Sequence, residues 1–275
     1  MSYNLKWLTD KFDNGETIKY IFFWGHSNKD NQEVGRFVFS QWFYSPFTVD
    51  EIEYKTTEHW MMAHKAKLFG DTKAFEAIVK ADKPGEVKEI GRQIRGFDEI
   101  KWDDKKFEIV KTGNIHKFNQ NKKLKDFLLG TADRVIVEAS PTDTIWGIGL
   151  TQDSSMVDNP YTWRGKNLLG FALMETRDFL KQFGEFENMD GLLVPPWKKF
   201  PTVDPLDMFW RMGPGEQYIM ELAKYLRSLS DRDRIIYELS YPATGDWSEF
   251  YKLRLGVRSS RQRGVSPLSL SQNRA

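Results

Sequence analysis

The chain contains no cysteine. Disulfides, cysteine-ligated zinc, iron–sulfur clusters and a thiol nucleophile are excluded whatever the fold. No apolar run approaches membrane-spanning length, so no membrane partner is expected. The first residues, MSYNLKWLTDKFDNGET, have no hydrophobic h-region and carry acids early, which reads against a signal peptide. With the absent thiols, this makes the cytoplasm the expected location. Net charge is close to balance at +1, so the chain as a whole makes no case for nucleic acid. Its distribution does matter: from Phe250 onward there are six basic residues (Lys252, Arg254, Arg258, Arg261, Arg263, Arg274) and no acidic one. Histidine is scarce. His59 and His64 stand five apart, off the spacing that shares a helix face, and no HExxH, GxSxG or Walker A pattern occurs, so no metal site is expected.

Hydrophobic residues make up 40% of the 275 and aromatics 15%, enough for a sizeable core without cross-links. YIFFWG reads as a strand closed by glycine, FVFSQWF as a second strand and IEYKT as a short third. GHSNKDNQEVG between the first two reads as a hairpin-type loop. Helical periodicity takes over with Thr57 as N-cap and runs through EHWMMAHKAKLF to Gly70. Asp71 caps a short helix, and Pro84 starts another. WDDKKFEIVKTGNIHKF continues the helical series with a middle weakened by Gly113 and Asn114. RVIVEAS has the pattern of a buried strand, SPTDTIWGIGL follows as a glycine-punctuated loop or short strand, and GKNLLGFALMETRDFLKQF is a long amphipathic helix. The expected class is α+β and predominantly helical. One domain spans residues 1–183, a C-terminal extension 184–255, and a disordered basic tail 256–275. Within the extension, the proline-rich VPPWKKFPTVDPLDMFWRMGPGE reads either as a partner-docking arm or as a strap over its own core.

Glu58 falls in the first turn of its helix, where the dipole favours the carboxylate. Its neighbours Trp60, Met61, Met62 and Ala63 are apolar, and burial among them favours the acid form. The sequence leaves that contest open. Lys65 lies two turns on, nearly in line and about 10 Å along the axis. The pair is either solvated or convergent on one ligand above that face. Asp143 and Trp146, on the loop after a buried strand, suit a turn cap and a core ring, or a rim for a planar base and a sugar. Arg92 and Lys117 either neutralise phosphates or are ordinary surface cations.

Taken together, the ordered blocks FFWG, SQWFYSPF, YKTTEHWMMAHKAKLF, IGRQI, WDDK, HKFNQN, LLGT, VEASPTDTIWGIGL and WRGKNLLGFALM resemble the NADAR superfamily over residues 18–182. That resemblance implies a single NADAR-like domain acting on N-glycosidic bonds of ribosyl nucleobase-like compounds, with no cofactor. It places the family's key glutamate on Glu58, its helix lysine on Lys65, the Asp-x-x-Trp-Gly block on Asp143, Trp146 and Gly147, and the Gly-x-Asn block on Gly165 and Asn167. Where many members have Ser-Asn-Phe, this chain has Ser40-Gln41-Trp42, so contacts to base or ribose there are expected to differ. Glu58 and Lys65 are then the expected catalytic pair. Ser40, Gln41, Trp42, Arg92, Lys117, Asp143, Trp146, Gly147 and Asn167 are expected to bind substrate. One branch of the family removes ADP-ribose from guanine bases of DNA, as antitoxin or counter to a DarT-type ADP-ribosyltransferase. Its implied partners are ADP-ribosylated DNA and a cognate toxin. A second branch destroys early riboflavin intermediates, and a third reading is a non-catalytic ADP-ribose-binding or toxin-blocking module. The basic tail favours the first.

Overall fold

A computed structural model describes residues 2–27, 33–189, 193–243, 245–247 and 249–253, without the side chains of 252 and 253. The centre of the GHSNKDNQEVG loop and the basic tail lie outside them. The chain divides into two compact units, Met1–Phe186 and Glu187–Ala275. The architecture is α+β and predominantly helical. No helix among the described residues is long and apolar enough to cross a membrane.

The first unit opens with helix α1 (Leu5–Asp13), capped by the Asn4 side chain on the amide of Trp7. Strand β1 (Tyr20–Phe23) pairs in parallel with β4 (Val135–Glu138), in register Tyr20↔Val135 through Phe23↔Glu138. Both strands therefore end at one edge, and the chain leaves them there into loops. β2 (Phe47–Val49) and β3 (Ile52–Tyr54) form a separate antiparallel pair. Helices α2 (Thr57–Leu68), α3 (Thr72–Lys80), α4 (Pro84–Arg92), α5 (Glu99–Gln120), α6 (Lys122–Leu129) and α7 (Leu168–Phe183) supply the rest. α5 packs on both α2 and α7, and α7 covers β4.

Local chemistry explains most of these elements. Asp71 accepts from the amide of Ala74 to start α3, and Pro84 opens α4, where the missing N–H costs nothing. The cap of α2 is Thr56, one residue before the expected Thr57, with its hydroxyl accepting from the amide of His59. α5 runs unbroken through the middle that Gly113 and Asn114 weaken by propensity. A Cβ at Gly113 would come 2.4 Å from the Trp60 ring, so glycine lets two helices meet there. The Asn114 amide donates back to the carbonyl of Val110 at 2.9 Å.

FVFSQWF is not a strand. Residues Arg36–Phe39 form a 3-10 turn, and residues 40–43 continue as turn. The Nζ of Lys117, wholly buried in α5, donates to the carbonyls of Val38 (2.6 Å) and Ser40 (3.1 Å). Those acceptors are taken by a side chain and are lost to a sheet ladder.

The second unit holds α8 (Pro196–Lys199), α9 (Pro214–Ser228), α10 (Asp231–Ser240) and α11 (Phe250–Leu253). Its core gathers Leu222, Leu226, Tyr237, Tyr241 and Phe250, with Trp197 and Trp247 packed against them at 5.6 Å between ring centres. Tyr218 and Tyr237 donate to the carbonyls of Val194 and Leu193. The proline-rich segment here straps its own unit.

Candidate active site

The candidate site gathers at the carboxyl edge of the parallel pair, where loops and the start of α2 meet. Glu58 reaches it from the first turn of α2, with only 3% of its surface exposed. Its amide donates to the carbonyl of Gln41 at 3.0 Å, and the Thr57 hydroxyl reaches the same oxygen. The turn carrying Gln41 and Trp42 is thus pinned to the start of α2 on one side and held by Lys117 on the other. So placed, Trp42 gives its side-chain hydrogen bond to the Glu58 carboxyl. The Trp42 ring lies 5.7 Å from the Nζ of Lys88, which comes from α4, and 5.8 Å from the ring of His26.

Burial dominates the electrostatics of Glu58. It raises the carboxyl from its ordinary 4.5 to about 7, against the lowering pull of Lys88 and the Trp42 hydrogen bond, with Asp143 adding a smaller upward push. Burial therefore outweighs Lys88 and the Trp42 hydrogen bond together. A second carboxyl faces the same space. Glu138, the last residue of β4, is raised to about 8 by burial first, then by the negative charges of Asp143 and Glu58. The residue as a whole is only partly buried, but its Oε2 is enclosed and has no hydrogen-bond partner among the described residues.

Asp143 organises the loop after β4. Its Oδ1 accepts from the amides of Ile145 (2.8 Å) and Trp146 (2.7 Å) and more distantly Gly147, while its own amide donates to Ser140. Gly147 packs so closely that a Cβ would sit 2.9 Å from the Glu138 carbonyl. The Trp146 ring is half-buried. The Ser40 hydroxyl accepts from the amide of Trp42. Gln41 is buried, with its Nε2 3.4 Å from Asn114 Oδ1 and its Oε1 enclosed without a partner.

Four expected site residues have partners within the fold itself. The Nζ of Lys65 donates to the carbonyl of Gly91 at 2.8 Å and lies over the rings of Phe97 and Trp102. Burial holds that amine below its ordinary value. Arg92 is exposed and paired with Glu89 on its own helix. Lys117 is fully enclosed, its ammonium is held by the carbonyls of Val38 and Ser40, and burial lowers it to about 7. Asn167 is no surface contact either. It is wholly buried in a left-handed conformation, with Nδ2 donating to the Ile136 carbonyl and Oδ1 accepting from the Glu138 amide. It grips the end of β4 and so sets where Glu138 points.

Sequence reasoning passed over Glu138 and Lys88. The signal for Glu138 was present, as a carboxylate ending the apolar run VIVE. Lys88 offered none, being one of several charges on an amphipathic helix. Among the described residues, no cluster of His, Asp and Glu has an arrangement suited to a metal ion.

A family model described as the NADAR domain matches residues 22–181. The N-glycosidase R617 of Acanthamoeba polyphaga mimivirus is 46% identical over 170 residues, covering 59% of this chain and 97% of that protein. The N-glycosidase YbiA of Escherichia coli is 31% identical over 142 residues, covering 52% of this chain and 78% of that protein. The solution structure of E. coli YbiA superposes with a TM-score of 0.48 at 26% identity, over 62% of this chain and 92% of that one.

Proposed function

The chain belongs to the NADAR domain family, and we propose that this N-glycosidase cleaves the bond between ADP-ribose and a guanine base of DNA. The observation that carries the reading is Glu58: a buried carboxyl raised to about 7, held by Trp42 and faced by Lys88. Breaking a ribosyl–nitrogen bond builds positive charge at the anomeric carbon and negative charge at the departing nitrogen. A carboxyl that exchanges its proton near neutrality can serve either end. Trp42 and Trp146 offer faces on which a base can stack, and Lys88 offers a cation for a diphosphate.

Two features support the DNA branch. The mimivirus relative is matched over nearly its whole length by little more than half of this chain, so the sequence beyond Phe186 is additional to the shared domain. That addition ends in six cations without an acid, which suits a phosphate backbone. A cognate ADP-ribosyltransferase toxin is the partner such a substrate implies. The test is hydrolysis of guanine-ADP-ribosylated DNA beside hydrolysis of the ribosylamino-pyrimidine intermediate of riboflavin synthesis. Release of ADP-ribose from the DNA is expected; cleavage of the pyrimidine alone would move the chain to the other branch.

Lys65 is carried as the second catalytic group of this reading. Partial burial and a lowered proton affinity are what an amine needs to attack a ring-opened ribose. Borohydride added during turnover is expected to leave an adduct on Lys65, located by peptide mapping, and Lys65→Arg to be inactive. An active Lys65→Arg enzyme with no trapped species would reduce Lys65 to a packing residue above Phe97.

A further inference from the structure

We propose that Glu138 is the general acid of this site, the group that protonates the departing nitrogen, with Glu58 working beside it as the carboxylate. The proposal rests on the N-glycosidase reading above and deepens it. Its ground is the unequal treatment of two carboxyls that share one space. Glu58 has a hydrogen-bond donor in Trp42 and a cation in Lys88. The Oε2 of Glu138 is enclosed with no hydrogen-bond partner among the described residues.

An ionised carboxylate is an acceptor only, and an acceptor buried without a donor is costly. A protonated carboxyl in the same place carries its own O–H and can present it to a ligand entering the space. The charged groups facing Glu138 act in the same sense. From α2 comes Glu58 and from the following loop Asp143, both disfavouring a further negative charge, and only Lys88 of α4 opposes them. Burial adds to the effect, and the proton affinity of Glu138 is raised to about 8, above that of Glu58. Two interacting carboxyls then hold roughly one proton between them near neutrality.

The backbone supports a fixed aim. Glu138 ends β4 in register with Phe23, its amide is held by Asn167 Oδ1 at 3.0 Å, and its carbonyl lies against Gly147. A buried asparagine in a left-handed conformation is an expensive way to close a strand, and here it fixes the residue that points at the ligand space.

The anomeric C–N bond breaks with its electron pair going to nitrogen, which takes the proton from Glu138. The water oxygen that ends on the anomeric carbon, directly or after an imine at Lys65, gives its proton to Glu58. Return of that proton from Glu58 to Glu138 restores the site. One water is consumed, and a ribose hydroxyl and a base N–H are formed.

The experiment compares two leaving groups on the full-length chain. ADP-ribosyl guanine needs a proton to leave. ADP-ribose bearing a pyridinium at the anomeric carbon releases neutral pyridine and needs none. Glu138→Gln is expected to lose about 10²–10⁴-fold in kcat on the guanine substrate and to stay within a few-fold of wild type on the pyridinium. Its pH–rate profile should also lack the alkaline fall that wild type is expected to show. Glu58→Gln should be impaired on both substrates. Equal losses of Glu138→Gln on the two, or no loss on either, would overturn the assignment, and far-ultraviolet dichroism of the variant guards against simple misfolding. If wild type cleaves the ribosylamino-pyrimidine but not the guanine substrate, the DNA reading fails and Glu138 is judged on the pyrimidine instead. If wild type cleaves none of the three, both ideas fall.

Discussion

The two units of this chain bury different things. Among the described residues, every buried polar or charged side chain except Ser240 lies in the first unit, including Glu58, Lys117, Asn114, Asn167, His59 and His64. The second unit is closed by aromatic rings and leucines, and the hydroxyls of Tyr218 and Tyr237 are satisfied by the carbonyls of Val194 and Leu193. Polar groups are expensive to bury, and a fold that needs only stability fills the space with apolar atoms. Ring packing of the kind seen in the second unit would have served the first as well. The first unit instead keeps carboxyls, an amine and amides inside, arranged around one edge of a parallel strand pair. The proposed site lies in the first unit, and the second has a conventional apolar core.

If that contrast is right, the first unit gives up stability for its site, and removing a site charge should return some of it. Glu58 binds its proton more tightly folded than unfolded, so its contribution favours folding at low pH and is lost as pH rises from about 4.5 through 7. Glu58→Gln should therefore be more stable than wild type above pH 7, by roughly 3 kcal/mol from the interval between those values. The gap should close below pH 4.5. Thermal unfolding at pH 5 and pH 8 measures it, and a variant less stable than wild type at pH 8 would mean that the buried carboxylate supports the fold.

The loop after β4 tests the contrast at a finer grain. Asp143→Ala removes an oxygen that caps backbone amides, at a cost of about 1–2 kcal/mol in stability. Trp146→Ala should leave stability nearly unchanged but weaken ADP-ribose binding by about tenfold through lost stacking. Titration of ADP-ribose into each variant, beside melting curves, separates the two. Trp146→Ala with unchanged affinity would return that ring to packing.

How far the site was legible from residues follows the same physics. Helix starts with local caps, such as Asp71 and Pro84, read directly, because the cap and its target amides are neighbours in sequence. α7 begins at Leu168, later than its apolar pattern suggests, because Asn167 turns left-handed to hold β4. FVFSQWF misled because an apolar run records burial, while the competing hold on its carbonyls comes from Lys117, far along the chain. Lys117 and Asn167 looked like ligands for the same reason: their partners are backbone atoms of distant segments. The sign of Glu58's shift was open in the sequence, since burial by Trp42 and α4 is tertiary. Glu138 had a signal at the end of VIVE, whereas Lys88 became visible only when α4 was brought to the edge where β4 ends.

The smallest effect concerns the second unit itself. Truncation after Phe186 should change hydrolysis of a free ADP-ribosyl guanine nucleoside by no more than a few-fold. It should reduce activity on modified DNA more, and most at low salt, where contacts from the tail cations count most. Equal activity of the truncated and full chains on both substrates would show that the second unit serves something other than substrate DNA.

The most direct test of the account is single-turnover cleavage of guanine-ADP-ribosylated DNA by wild type and by Glu58→Gln. An isosteric amide keeps the contacts of the side chain but cannot exchange the proton. The account predicts release of ADP-ribose and unmodified guanine by wild type, and a rate at least 10³-fold lower for the variant at unchanged ADP-ribose affinity. A Glu58→Gln rate within a few-fold of wild type would contradict it.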